Sequence, residues 1–328
     1  MEASVRTTSP ATAPAPAGVF EAPAGAAEAP AGNGRGIALM IVAMLTFASM
    51  DALSKLAMER HDVAQVLCVR FWIFLAFALV LTRRRGLRAS LASRRPVFQI
   101  GRSLLLIVEM GAFMLAFRAM HLADVHAIAA VAPLIAMLMA ALLLGERIGP
   151  HRKAAAAIGF LGVLVIVRPG TGVFEGAALW PLIGATLWGL YQVLVRKMAG
   201  VDPVGTTVLY TALVGVVSYS FLAPFVWTPP APETWAMLVG VGILGAFGHA
   251  TLVAALDSAP AGVLQPFGYV LPVWATVMGY LVWDHVPDRW TVAGCLLVIA
   301  GGLYALWRER RSARVPQGTG EGPGTPAG

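Results

Sequence analysis

Long apolar runs separated by short polar joints fill the chain from residue 35 to residue 308. Ten windows of about 20 residues, the length that crosses the hydrocarbon core of a bilayer, can be marked along it. They lie at 37–57, 63–82, 97–118, 123–144, 152–168, 177–197, 204–226, 234–255, 261–283 and 289–307. The joints between them leave no room for a domain outside the membrane. The windows are continuous rather than alternating and far too long for barrel strands. A helix satisfies its own backbone where lipid offers no partner. The predicted fold class is therefore an all-α membrane protein with ten transmembrane helices.

The ends read differently. Residues 1–34 are rich in Ala, Pro and Gly, and residues 309–328 form a second polar, Gly/Pro-rich stretch. Neither can build a core, so both are expected to be disordered tails. The first has no apolar run of the kind a cleavable signal peptide needs. The expected organisation is a tail at 1–34, a first repeat at 35–170, a second repeat at 171–308 and a tail at 309–328.

Composition narrows this picture. Hydrophobic residues make up 58% and charged residues 12% of the chain, half the charge of an ordinary soluble domain at about 25%. With a mean hydropathy of +0.74, a soluble enzyme is excluded. The net charge of +7 could suggest nucleic acid, but its distribution argues for orientation instead. With the N-terminus in the cytoplasm, inside segments carry 17 Lys and Arg residues, among them Arg83, Arg84, Arg85, Arg88, Arg94 and Arg95. Outside segments carry only Arg60, Arg168 and Arg289. Such a bias predicts that both termini are cytoplasmic. Cys68 and Cys295 sit in apolar stretches without metal-ligand spacing and read as small core residues.

The chain also repeats itself. At an offset of 139, Pro133 falls on Pro272, Glu146 on His285 and Gly162 on Gly301. Asp62 and Asp202 precede the second and seventh windows in nearly the same relation. Each copy holds five spans. An odd number turns the second copy upside down, which predicts two inverted five-helix repeats with a site near the midplane between them.

These features resemble the drug/metabolite transporter superfamily, in its EamA-type branch, over residues 36–307. The pieces that carry the likeness are Ala119-Met120-His121-Leu122-Ala123-Asp124, Pro133, Leu144-Gly145-Glu146-Arg147, Met50-Asp51-Ala52-Leu53-Ser54-Lys55 and Arg70. The second repeat departs from the pattern, with His285 where a Glu would be expected. The resemblance implies a secondary transporter with a central cavity, peripheral fifth and tenth spans, and no cofactor.

Ionisable groups inside spans are costly and mark candidate function. Glu109 lies near the middle of the third span and is a candidate for proton coupling or for pairing with a substrate cation. Arg102 is two turns earlier on the same face, about 10.5 Å away, and nearer the cytoplasmic end, where it is expected to snorkel. Asp51 and Lys55 stand four residues apart in the first span and are expected to pair. With Arg70 they could form an outer gate or hold a substrate's charged groups. His249 is a candidate relay, or else a helix-to-helix hydrogen bond. Trp188, Tyr191 and Gln192 in the sixth span, and Gln265, Tyr269 and Trp274 in the ninth, suit a cavity wall. Pro266 and Pro272 should break the ninth span. Ala132, Ala136 and Ala140 form a small-residue line for close packing.

No nucleophile, zinc or Walker-type motif is present. The expected function is alternating-access transport of a small organic metabolite, an amino acid or related solute, with export as the expected direction. Uptake of a vitamin or nucleoside-like cofactor is the alternative, and a non-transporting membrane scaffold the alternative from another class. The expected partners are a small-molecule substrate, the proton as a candidate coupling ion and the lipid bilayer, with no nucleic acid. The chain would sit in the inner membrane as a monomer or homodimer.

Overall fold

The computed structural model describes residues 34–144, 150–168, 176–197, 201–259 and 261–313. Among them, all regular structure is helical. Helices α1 (Gly34–Ala57), α2 (Val63–Thr82), α4 (Pro96–Ala119) and α7 (Pro150–Val167) occupy four of the first five windows. The fourth window is split into α5 (Leu122–Ala129) and α6 (Ala132–Leu144). The break falls at Ala130 and Val131, and Pro133 stands in the first turn of α6, where its missing N–H costs no helical bond. In the second half, α8 (Leu179–Lys197), α9 (Val204–Leu222), α10 (Pro232–Ser258) and α13 (Arg289–Ala313) fill four windows. The ninth window is broken as expected. A short α11 (Ala261–Leu264) passes through a 3-10 turn at Gln265–Tyr269, containing Pro266, into α12 (Val270–Trp283). A short α3 (Leu87–Leu91) in the arginine-rich joint was not foreseen. Of the Leu144–Arg147 motif, Gly145, Glu146 and Arg147 lie outside the described residues.

Among the described residues, six stretches are long and apolar enough to cross a membrane: α1, α2, α4, Leu122–Leu143, Val204–Phe225 and α10. Shorter apolar helices fill the remaining four windows, at Lys153–Val167, Leu179–Val195, Phe267–Trp283 and Arg289–Tyr304.

The packing shows the repeat directly. Helix α1 packs on α10 and α12, α8 on α4 and α6, α2 on α9 and α10, α9 also on α4, and α7 on α13. Exchanging the halves (α1 for α8, α2 for α9, α4 for α10, α6 for α12, α7 for α13) returns the same set of pairs. Helix directions show the inversion. Gly36 at the start of α1 lies against Ala259 just past the end of α10, so these run antiparallel. Ile73 meets Gly242 and Phe74 meets His249, so α2 runs with α10. Gln65 bonds to Thr228, Trp72 to Ser220, and Thr82 approaches Gly205, so α9 opposes α2. Gln99 meets Thr207 and Tyr219 meets the Ile107 carbonyl, so α4 runs with α9. Therefore α2 and its counterpart α9 point in opposite directions, as do α4 and α10.

The bundle has two ends. One gathers the C-termini of α1 and α4 with Lys55. The other carries Arg83, Arg84, Arg85, Arg88, Arg94 and Arg95 in the joint around α3. At this arginine end Asp202 accepts bonds from Ser93 Oγ, Gln99 Nε2 and the Arg94 amide. Slight burial works against the Asp202 carboxylate, but these bonds outweigh it and hold it below the ordinary range. Arg102 sits deeper and is only 2% exposed. It donates to Tyr191 Oη at 2.7 Å and to the Thr207 carbonyl and Thr211 Oγ1 at 3.1 Å each. The expected snorkelling arginine is thus a structural tie joining α4, α8 and α9. Three acceptors meet its guanidinium where it stands, so the charge is spent inside the bundle.

Helices α7 and α13 lie to one side and contact each other at glycines. A Cβ on Gly162 would stand 2.7 Å from the Gly294 carbonyl and 2.9 Å from the Val298 amide. Backbone, rather than a movable side chain, occupies the space. Gly162→Val should therefore cost about 1–3 kcal/mol through overpacking, read as a lower melting temperature of the detergent-solubilised protein. Arg102→Lys keeps the charge but cannot reach all three acceptors. It should lose about 1–3 kcal/mol in the same measurement.

Candidate functional site

Three ionisable side chains from three helices converge in the first half: Asp51 on α1, Arg70 on α2 and Glu109 on α4. All are buried, Glu109 to 5% exposure. Arg70 interacts electrostatically with both carboxylates, and Asp51 and Glu109 act on each other. No hydrogen bond among the described residues uses the Arg70 guanidinium. It faces a cavity instead, walled by Phe71, Phe74, Met110, Gly245 and His249. The enclosed space there is only about 10 Å³, about the room one water needs and far below the roughly 300–1,000 Å³ typical of small-molecule pockets, so the site is closed in this conformation. Gly245 of α10 brings that helix close, with its Cβ position 3.6 Å from Arg70 Nε and 3.2 Å from Met50 Sδ.

The aromatic side of the cavity has a regular build. Phe71 stacks on Tyr219 at 5.6 Å, and the Tyr219 hydroxyl donates to the Ile107 carbonyl at 2.9 Å. His249 lies edge-on to Phe47 and tilted against Phe74. Its Nδ1 is 3.0 Å from the Gly245 carbonyl. That carbonyl accepts a proton only from Nδ1, so Nε2 is the acceptor nitrogen. The bond lies within α10, so the expected tie to a neighbouring helix is not formed. The helix's own carbonyl, one turn back, is the nearer acceptor.

The other candidates fall elsewhere. Lys55 does not pair with Asp51. Its Nζ donates to the Phe117 carbonyl and to the Met120 carbonyl, the latter at 2.8 Å, and lies over the Trp283 ring at 5.6 Å. The last carbonyls of α4 have no helical donors and carry the negative end of the helix dipole, so they outcompete a carboxylate one turn away. Trp188 is 38% exposed and stacks on Tyr191, which is held by Arg102. This pair forms a second aromatic group nearer the arginine end. Gln192 is half-buried on the same helix. The Tyr269 hydroxyl lies against Gly302 of α13, facing the peripheral pair rather than the charged centre. Gln265 stands in the 3-10 turn, and its side chain lies outside the described residues. Trp274 donates to Ser49 Oγ of α1 at 3.1 Å.

Two groups were missed from sequence. His126 on α5 is buried, with Nε2 3.3 Å from Asp51 Oδ2. It lies within the fourth apolar window, so the rule that singled out Glu109 would have found it. His121, Asp124 and His285 also come together at the Lys55 end. Burial, together with the neighbouring His121 ring, holds His285 below the ordinary histidine range, against the pull of Asp124 and Asp288. Here the sequence signal was the repeat offset, which placed His285 opposite the end of the fourth window but not beside its start.

Known proteins share this architecture. A riboflavin transporter of Rhizobium johnstonii is 27% identical over 86% of this chain and 94% of its own length. An S-adenosylmethionine uptake transporter of Rickettsia prowazekii is 24% identical over 84% and 94%. A pseudopaline exporter of Pseudomonas aeruginosa is 25% identical over 84% and 97%. A solved crystal structure matches in fold with a TM-score of 0.59 at 22% identity, covering 84% of this chain and 98% of that one. The EamA-like transporter family model matches twice, at residues 34–168 and 176–307, once for each half of the helix bundle. The chain is a multi-pass membrane protein that belongs to the EamA-like transporter family.

Proposed function

We propose that the chain carries a small zwitterionic or cationic organic solute with an α-amino-acid group across the inner membrane, by alternating access around Asp51, Arg70 and Glu109. The observation that carries this reading is Arg70. It is a buried guanidinium turned to the cavity, with its hydrogen-bonding capacity unspent and two carboxylates in electrostatic reach. A substrate carboxylate would take the guanidinium, which suits it in a planar, two-pronged way. Two carboxyl groups face one arginine, with His126 3.3 Å from Asp51, so a substrate ammonium or a proton arriving at the carboxyl group that Arg70 does not take would couple loading to charge balance.

The aromatic wall fits the same solute class. Phe71, Phe74 and His249 offer faces and edges to a flat ring. S-adenosylmethionine, named for one relative, carries both an α-amino-acid group and an aromatic base. The riboflavin transporters among the relatives support a second reading, in which the wall grips a flat heteroaromatic ring and the charges serve coupling alone.

The excess of Lys and Arg in the joints at one end supports placing that end, and both termini, in the cytoplasm. The two halves would then rock about the buried charges, with the breaks between α5 and α6 and at Gln265–Tyr269 letting the fourth and ninth spans bend. Such a cycle is reversible, and the gradients of solute and proton set its direction.

The test is transport in proteoliposomes under imposed solute gradients of either sign, with S-adenosylmethionine, zwitterionic amino acids and riboflavin as probes. Glu109→Gln should slow transport at least about tenfold, the weight of one charge-assisted contact, and should flatten its pH dependence. Arg70→Gln should abolish transport of the zwitterions. Wild-type rates and an unchanged pH profile in both variants would sink the reading. Riboflavin transport that survives Arg70→Gln would favour the second one.

A further inference from the structure

At the Lys55 end, away from the charged centre, three donors meet from opposite halves. His121 caps the start of α5, and Asp124 lies one turn into that helix. His285 stands in the joint between α12 and α13. The His121 and His285 rings stack at 3.5 Å with an interplanar angle of 2°. Asp124 Oδ2 is 3.4 Å from His121 Nδ1 and 3.8 Å from His285 Nε2. One donor atom from each residue lies within 4.8 Å of the other two. His285 Nε2 is buried and makes no hydrogen bond. It is a nitrogen aimed at the cluster without a partner that satisfies it.

We propose that His121, Asp124 and His285 form a binding site for a divalent transition-metal ion that staples the two halves together at this end. Ligands about 2.0–2.2 Å from a tetrahedral zinc stand roughly 3.3 Å from one another. The two distances to Asp124 are 3.4 and 3.8 Å and the third edge lies within 4.8 Å, so the carboxylate needs little movement, whereas the stacked imidazoles must turn out of their parallel planes to direct both lone pairs at one ion. Two imidazoles and one carboxylate suit Zn2+ and its neighbours in the first transition row, whereas Mg2+ and Ca2+ prefer all-oxygen sites. Three protein ligands leave a fourth position for water or for a solute group.

The surroundings are balanced in charge. Asp288 adds a second negative charge nearby but is held by Arg168 at 2.5 Å. Lys55 acts electrostatically on His285, and its ammonium is engaged by the Phe117 and Met120 carbonyls. The side chain of His121 is 55% exposed, which gives an ion a route in from bulk water. The ligands divide between α5 of the first half and the joint before α13 of the second. Parting of the halves at this end must pull them apart, so a bound ion resists that movement. This last consequence rests on the transport reading above, whereas the site itself does not.

The full-length protein in detergent, stripped with chelator, is titrated with Co2+ and then with Zn2+. One equivalent of Co2+ should bind with the visible bands of tetrahedral coordination, and Zn2+ should displace it. His121→Ala and His285→Ala should each weaken binding at least about tenfold while eluting as monodisperse protein. His285→Glu replaces one ligand by another and should bind. His151→Ala, at the opposite end, should bind as wild type. Absence of saturable binding, or equal affinity in wild type and both alanine variants, overturns the site. In proteoliposomes Zn2+ should slow wild-type transport and leave His121→Ala unaffected. Binding at these residues with no effect on wild-type transport would overturn the staple while the site stands. If none of the probe solutes is carried, the Co2+ titration still decides the site.

Discussion

Inside the bilayer a charge finds no water, so whatever compensates it must come from the protein itself. The structure obeys this constraint in three different ways. Arg102 receives three fixed acceptors from α8 and α9 and becomes a tie. Lys55 is taken up by the unsatisfied carbonyls at the end of α4. Asp51, Arg70 and Glu109 lie in electrostatic reach of one another beside a small cavity, with His126 3.3 Å from Asp51. The first two solutions consume the charge in holding helices together. The third leaves it available.

The same economy shapes the helices. Equivalent helices in the two halves run in opposite directions, yet their contacts map onto each other. The chemistry does not follow the symmetry. Asp51, Arg70 and Glu109 all belong to the first half, whereas α10 of the second supplies Gly245 and His249. The first half brings the charges and the Phe71 and Phe74 rings, and the second brings a close backbone at Gly245 and the His249 imidazole. A group built this way spans the contact between the two halves.

Much of the fold was legible in the sequence because it follows from one-dimensional rules. Apolar runs of membrane length became helices, and the offset of 139 between Pro133 and Pro272 became two broken spans in equivalent places. The site was legible in part. Glu109, Asp51 and Arg70 are conspicuous as charges in apolar windows, and the structure brings them together. Lys55 was misassigned because spacing on one helix says which residues share a face, and says nothing of the orphan carbonyls a neighbouring helix presents. Arg102 was misread for the same reason, since its acceptors lie some 90 to 110 positions away along the chain. His126 and His285 acquire meaning only from partners that no local pattern names.

The contact between Gly36 and Ala259 has a mechanical meaning. At the arginine end α1 and α10 approach with almost no side chain between them, and a Cβ on Gly36 would stand 3.2 Å from the Ala259 amide and 3.3 Å from the Ala255 carbonyl. No rotamer flip can open such a seam, because there is nothing there to rotate. Any passage at that point demands that whole helices translate or pivot, a motion of microseconds to milliseconds rather than nanoseconds. The smallest residue in the bundle thereby makes any separation of α1 from α10 there a movement of helices and not of side chains.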